Sequence, residues 1–187
     1  MTVTTPTPPR SRLRVRIVLA ALSACGLAAL AWVSFVQPVT HVVYNPSDSA
    51  PVGWYHITPT ASPPRSLRVG STVLVHLPAN SAALAAQRGY LPARIPLLKR
   101  VGAIAPQHIC IVNKELRIDD VPVVTLLTAD RMGRPLPSWQ QCRRLADGEL
   151  FLLSANNPAS FDSRYFGPIQ ASAVVGIARP IRLEQRP

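Results

Sequence analysis

The sequence predicts a mainly β domain of antiparallel sheets that carries one short helix and follows a single transmembrane helix. Three observations lead there: an uncharged apolar run near the N-terminus, short β-branched segments between turn residues after it, and one later stretch of helical composition. With 187 residues, 48% of them hydrophobic, the chain has room for one membrane segment and one domain with a real core. The expected organisation is a basic tail over 1–16, a membrane helix over 17–36 and a folded domain over 37–187.

The formal charge of +11 would suit a nucleic-acid binder, yet the basic residues are scattered, with no aromatic-interleaved stripe and no zinc-finger spacing. No nucleic-acid partner is expected. Of the 20 Lys and Arg residues only Lys99 and Lys114 are lysine. Arginine keeps its proton in proteins, so lysine-dependent chemistry has just these candidates.

Residues 1–16 are rich in Thr and Pro and then carry Arg10, Arg12, Arg14 and Arg16, a tail read as disordered and cytoplasmic because it has no means of burying surface. Residues 17–36 hold no charge, and as a helix they span about 30 Å, the thickness of the hydrocarbon layer. Arginines before the run, and no comparable cluster just after it, place the N-terminus inside and the rest outside. The reading is a single-pass protein of the inner (cytoplasmic) membrane with a periplasmic domain. A cleaved signal peptide is the rival; its apolar core is shorter, about 7 to 15 residues, and no small-x-small site precedes His41, which favours a retained anchor.

His41 to Tyr44 and Trp54 to Ile57 read as short extended segments, with Trp54 and Tyr55 also suited to lipid headgroups. Thr58 to Val69 is an aperiodic loop, and Ser71 to Leu77 is a strand in which His76 is a strand residue rather than a catalytic one. Asn80 to Arg88 supplies the short helix, with Asn80 as N-cap, an Ala/Leu body, Gly89 as its stop and Pro92 beyond. Ile95 to Ile104 returns to strand character. Strand side chains alternate, so Leu97, Lys99 and Val101 share a face and Lys99 keeps apolar company. His108 to Val124 reads as short strands joined by tight polar turns, with Lys114 exposed in the first turn. Arg131 to Arg144 is irregular, anchored by Trp139; Glu149 to Ser154 is a strand, Ala155 to Pro168 a polar loop, and Ala171 to Ile181 the closing strand.

Cys25 falls in the membrane run, where it is a small apolar residue. Cys110 and Cys142 both lie on the outer side, where an oxidising compartment favours pairing, so a disulfide is expected between them.

The chemistry centres on Asn45-Pro46-Ser47-Asp48-Ser49-Ala50-Pro51-Val52-Gly53-Trp54-Tyr55. Alone, this stretch reads as a membrane-proximal linker, since Ser, Pro, Asp and Gly are what loops are made of. Two serines flanking one residue between prolines also fit a stiff exposed turn, where one hydroxyl attacks and its neighbour bonds an oxyanion. Leu98-Lys99-Arg100 and Ser160-Phe161-Asp162-Ser163-Arg164 complete a set of three pieces whose order resembles the signal peptidase I family of Ser/Lys proteases. The last motif keeps the family's spacing from Ser154 to Arg164 but has Ser154-Ala155 in place of its opening Gly-Asp, and Ala50-Pro51 stand where the housekeeping enzymes carry Met. These departures, with Arg88-Gly89-Tyr90-Leu91-Pro92 and the run on to Tyr165-Phe166-Gly167-Pro168, are similar to the TraF-type conjugative transfer signal peptidases.

That resemblance implies a signal-peptidase-like β domain in which Ser49 attacks the scissile carbonyl and Lys99 takes its proton. Only neutral lysine can do so, and with an ordinary pKa near 10.4 about one in a thousand is neutral at pH 7.4; a drop of roughly 3 units corresponds to about 4 kcal/mol against the ammonium. Ser47 and the Ser49 amide would form the oxyanion hole, Ser160 would orient Lys99, and Asp162 and Arg164 would pair to hold their loop, although a catalytic role for Asp162 stays open. The implied partner is an exported precursor peptide, a prepilin in the TraF-type relatives, where the pilin's own amine closes a cyclic subunit. Hydrolysis or cyclisation cannot be read from the pair. A general signal peptidase and a silent membrane-anchored assembly protein remain as alternatives. No cofactor is expected, and no metal: His41, His56, His76 and His108 lack ligand spacing, and no Gly-x-Ser-x-Gly elbow exists. Oligomeric state is left open.

Overall fold

The computed structural model describes residues 10–35, 42–59, 67–154 and 157–184. The chain divides into two units, residues 1–39 and 40–187. The first holds helix α1 (Arg10–Phe35), within which Arg12–Trp32 is long and apolar enough to cross a membrane, at mean hydropathy 1.9. Its large apolar side chains are exposed, among them Leu22, Leu27, Leu30 and Trp32. A helix apolar all round has no single stripe to bury against protein, which fits a membrane anchor or a signal sequence. The helix starts seven positions before the expected boundary, at Arg10 rather than residue 17, so the arginine-rich half of the expected tail is helical. Arginine is a good helix former, and extending an existing helix needs no new nucleus. The rest of that tail, residues 1–9, lies outside the described residues, as do His41 and the loop over 60–66.

The second unit is mainly β. Its strands are β1 (Val42–Asn45), β2 (Gly53–Pro59), β3 (Thr72–Val75), β4 (Leu97–Ile104), β5 (His108–Val112), β6 (Glu115–Ile118), β7 (Val121–Thr125), β8 (Arg143–Arg144), β9 (Glu149–Leu152), β10 (Ile169–Gln170) and β11 (Val174–Leu183). A seven-stranded sheet runs β1-β2-β11-β3-β4-β9-β10 and a four-stranded sheet runs β7-β6-β5-β8, with every described pairing antiparallel. The expected meander is β5 to β7. Its two hairpin turns place both Asn113 and Lys114, then both Asp119 and Asp120, at positive φ, the backbone that matches the twist of tight hairpins.

Among the described residues of this unit two short α-helices are present where one was expected. The first, α2 (Ala79–Gln87), begins one residue early, with Pro78 at the cap position and no side-chain cap, so Asn80 is not the N-cap. The fixed φ of proline starts the helix, and its carbonyl accepts from the Ala82 amide at 2.9 Å. Gly89 stops it at φ +71. The second, α3 (Ser163–Phe166), is one turn inside the expected loop, capped by the Asp162 carboxylate.

The described residues form three apolar clusters. Val73, Val75, Val101, Leu150 and Leu152 pack on one face of the large sheet, and Tyr55, Ile57, Leu74, Leu98 and Ala178 on the other. Ala103, Ile109, Leu116, Phe151 and Leu153 join the two sheets, with Trp139 packed against them at 5.6 Å from the Phe151 ring. Strand alternation in β2 separates the two aromatics proposed for headgroups: Trp54 is exposed, but Tyr55 is 2% exposed and its hydroxyl donates to the Pro51 carbonyl at 2.6 Å. Cys110 and Cys142 form the expected disulfide, tying β5 to the segment before β8.

Candidate active site

The serine turn links β1 to β2, and one side chain that the sequence reading missed organises it. Asn45, buried at the end of β1, donates from Nδ2 to the carbonyls of Ser47, Ala50 and Pro51 at 2.9, 3.0 and 3.1 Å. Its Oδ1 accepts from the Ser47 amide at 3.2 Å and the Ser47 hydroxyl at 2.9 Å. The two serine hydroxyls are 2.9 Å apart. A hydroxyl has one hydrogen, and Ser47 gives its own to Asn45, so Ser49 is the donor between them. Gly53 closes the turn at φ +142; a Cβ there would lie 2.2 Å from the Arg182 carbonyl oxygen of β11.

Lys99 lies in β4 opposite Val73 of β3 and is 1% exposed. The expected apolar face is present, since Leu97 and Val101 belong to the cluster around Val73 and Val75. Its amine donates to the Ser160 hydroxyl and lies 3.4 Å from the Ser154 hydroxyl. Burial lowers the Lys99 pKa to about 8 against the opposing pull of Asp162, with Arg164 adding to the lowering. Ser154 in turn donates to the Ser49 backbone carbonyl. Lys99 and the serine turn are therefore joined through one hydroxyl.

Behind this line sits a buried ion pair. Arg164 meets Asp162 through Nε at 2.7 Å and a terminal nitrogen at 2.8 Å, with both side chains fully buried. Asp162 also accepts from the amides of Ser154 at 3.0 Å and Arg164 at 3.2 Å, and Arg164 donates to the Ser160 carbonyl at 3.0 Å. Such a pair costs desolvation, and its return is geometry: it fixes the backbone of both residues whose hydroxyls face Lys99. Ala155, where the signal peptidase pattern has aspartate, lies outside the described residues.

Ser47, Asp48, Ser49, Lys99 and Ser160 line one cleft of about 650 Å³, with apolar walls from Leu74, Leu77, Leu91 and Ile95. A loop held by Asp130 also lines it. That carboxylate accepts from the Tyr90 hydroxyl, from Arg134 Nε at 2.7 Å and from the amides of Met132 and Arg134, each at 2.9 Å. Burial raises the Asp130 pKa, but these hydrogen bonds outweigh it and hold the carboxyl well below the usual range. Tyr90 then packs on Phe161 at 5.4 Å, next to Ser160.

The structure thus gathers Ser47, Ser49, Lys99, Ser160, Asp162 and Arg164 in one region, with Cys110 in the other sheet and Cys142 just before its strand β8. His76 is exposed, and no group of metal-ligating side chains occurs among the described residues. Asn45 and Ser154 were missed. The one signal for Asn45 was a polar side chain ending an apolar strand; for Ser154 it was a hydroxyl standing where the family pattern has glycine.

Comparison with known proteins gives the family. The family model described as signal peptidase, peptidase S26, matches residues 14–182. A plasmid transfer protein TraF of Escherichia coli is 31% identical over 180 residues, covering 91% of this chain and 95% of its own. A probable conjugal transfer protein TraF of Sinorhizobium fredii is 30% identical over 167 residues, covering 86% and 84%. Among solved structures, a signal peptidase I from Enterococcus faecalis matches 60% of this chain and 97% of its own at 17% identity and a TM-score of 0.38. A family match over nearly the whole chain, with relatives of this identity and coverage, means that the chain belongs to the signal peptidase family, peptidase S26.

Proposed function

We propose that this chain is a membrane-anchored serine endopeptidase that cleaves exported precursor proteins through a Ser49/Lys99 dyad, with a prepilin of a conjugative transfer system as its substrate. The observation that carries the chemistry is a buried amine, held by two hydroxyls and depressed to a pKa of about 8, lining the same cleft as two adjacent serines. The conjugal transfer names of its relatives support the substrate.

In this reading Ser49 Oγ attacks the scissile carbonyl while neutral Lys99 takes its proton. The oxyanion accepts from the Ser49 amide and from Ser47, whose hydroxyl turns away from Asn45 as charge develops. Collapse of the intermediate expels the leaving amine, which receives the proton from the Lys99 ammonium, and leaves an ester on Ser49. Water, or an amine of the precursor itself, then attacks the same ester. The precursor lies extended against β1, the edge of the large sheet, whose Val43, Tyr44 and Asn45 line the cleft.

The test is coexpression with a candidate prepilin. Ser49→Ala and Lys99→Arg each leave the precursor uncut, the second because arginine keeps its charge and cannot act as a base. Full processing by Lys99→Arg would refute the dyad, and processing of unrelated preproteins with equal efficiency would make this a general signal peptidase.

A further inference from the structure

Ser154 touches both halves of the proposed pair. It follows β9, whose antiparallel register with β4 sets Leu152 against Val101 and bonds the Leu153 amide to the Arg100 carbonyl at 2.9 Å, which brings Ser154 level with Lys99. The side chain is buried, and its amide is fixed by Asp162 at 3.0 Å. A serine hydroxyl has one hydrogen and two lone pairs. Ser154 gives that hydrogen to the Ser49 carbonyl, so toward Lys99 it can only accept, as Ser160 does. A neutral amine has two hydrogens and one lone pair in tetrahedral array. With both hydrogens given to Ser154 and Ser160, the lone pair is left the remaining direction, away from both hydroxyls.

We propose that Ser154 is a positioning residue that sets nucleophile and base against each other, clamping the Ser49 backbone with its hydrogen and aiming the Lys99 lone pair with its oxygen. The proposal rests on the Ser49/Lys99 reading. It places a needed hydroxyl where the housekeeping signal peptidase pattern carries glycine, so this chain fixes its base from two sides.

The chain's two lysines make a direct test available. Lysine labelled with 13C at Cε in the full-length protein in detergent micelles gives one NMR signal for Lys99 and one for exposed Lys114. The charged groups acting on Lys99 are Asp162 and Arg164, paired with each other and untouched by the substitution. Ser154→Ala removes an acceptor that favours the ammonium. The Lys99 midpoint therefore falls from about 8 by roughly half a unit to one unit, while Lys114 does not move. With a prepilin peptide, kcat falls by about 10- to 100-fold at nearly constant KM, as for a lost orientation of reacting groups. Ser154→Thr, which keeps the hydroxyl, moves both readings back toward wild type. Should the alanine variant melt below the working temperature, Ser154→Gly is read in its place. An unmoved Lys99 midpoint in a folded variant overturns the role, whether or not kcat falls. If Lys99→Arg is inactive in that same assay, only the role of Ser154 is lost; an active Lys99→Arg removes the dyad with it.

Discussion

Lys99 is a residue whose proposed reactivity is in tension with stability. Its pKa lies at about 8 in the fold against an ordinary 10.5, so between those values the unfolded chain binds a proton that the native chain does not. Native stability therefore rises with pH across that window, and below about 8 the full penalty applies, roughly 3 kcal/mol. Lys99→Met abolishes this dependence. The stability difference between variant and wild type shifts in favour of wild type by about 3 kcal/mol from pH 7 to 10.5, measured by urea unfolding at each pH. On the proposed dyad, cleavage by the wild type rises with pH through about 8, because only the neutral amine would accept the serine proton. At this scale the sequence was legible where choice was narrow: two lysines, one of them on an alternating apolar strand. Asn45 and Ser154 were not, because small polar side chains are common in loops and theirs act only through tertiary hydrogen bonds.

Among the elements, the turn between β1 and β2 depends most on a single side chain. Asn45 meets three carbonyls, one amide and one hydroxyl of the turn, so Asn45→Ala strips partners from several groups at once. The expected loss is about 1 to 3 kcal/mol of stability, with kcat reduced about tenfold or more and KM little changed. Thermal melting and steady-state kinetics on a prepilin peptide check it; a wild-type kcat would mean the turn holds its shape without Asn45. The longer strands were readable from alternation and turn chemistry, down to the Asn113-Lys114 and Asp119-Asp120 hairpins, but two-residue β8 and β10 show no alternation and were not. Helix α3 was not, since four residues show no period; its one cue was Asp162 ahead of Ser163, the cap that bonds the Arg164 amide.

For the whole molecule, the two sheets divide the work. The cleft belongs to the large sheet and the loops beside it, whereas the disulfide braces the small one. Closing a 32-residue separation contributes about 3 to 4 kcal/mol in the chain-entropy model. Replacing Cys110 and Cys142 together by Ser lowers the melting temperature and leaves kcat unchanged well below it; a matching loss of kcat would show that the sheets are coupled. Sheet order was beyond the sequence, because partners distant in the chain are chosen by packing and not by local pattern. That order has a consequence in time. Strand β11 stands between β2, which leaves the serine turn, and β3, whose other neighbour β4 carries the lysine, and the amide of Glu184 beyond its end still bonds the Val52 carbonyl at 2.8 Å. The two groups of the proposed dyad, Ser49 and Lys99, are both translated before β11, the strand that stands between them. A nascent chain is thus unarmed until β11 has been made, and a stop codon before residue 174 is a lesion of the proposed activity that deletes neither of them.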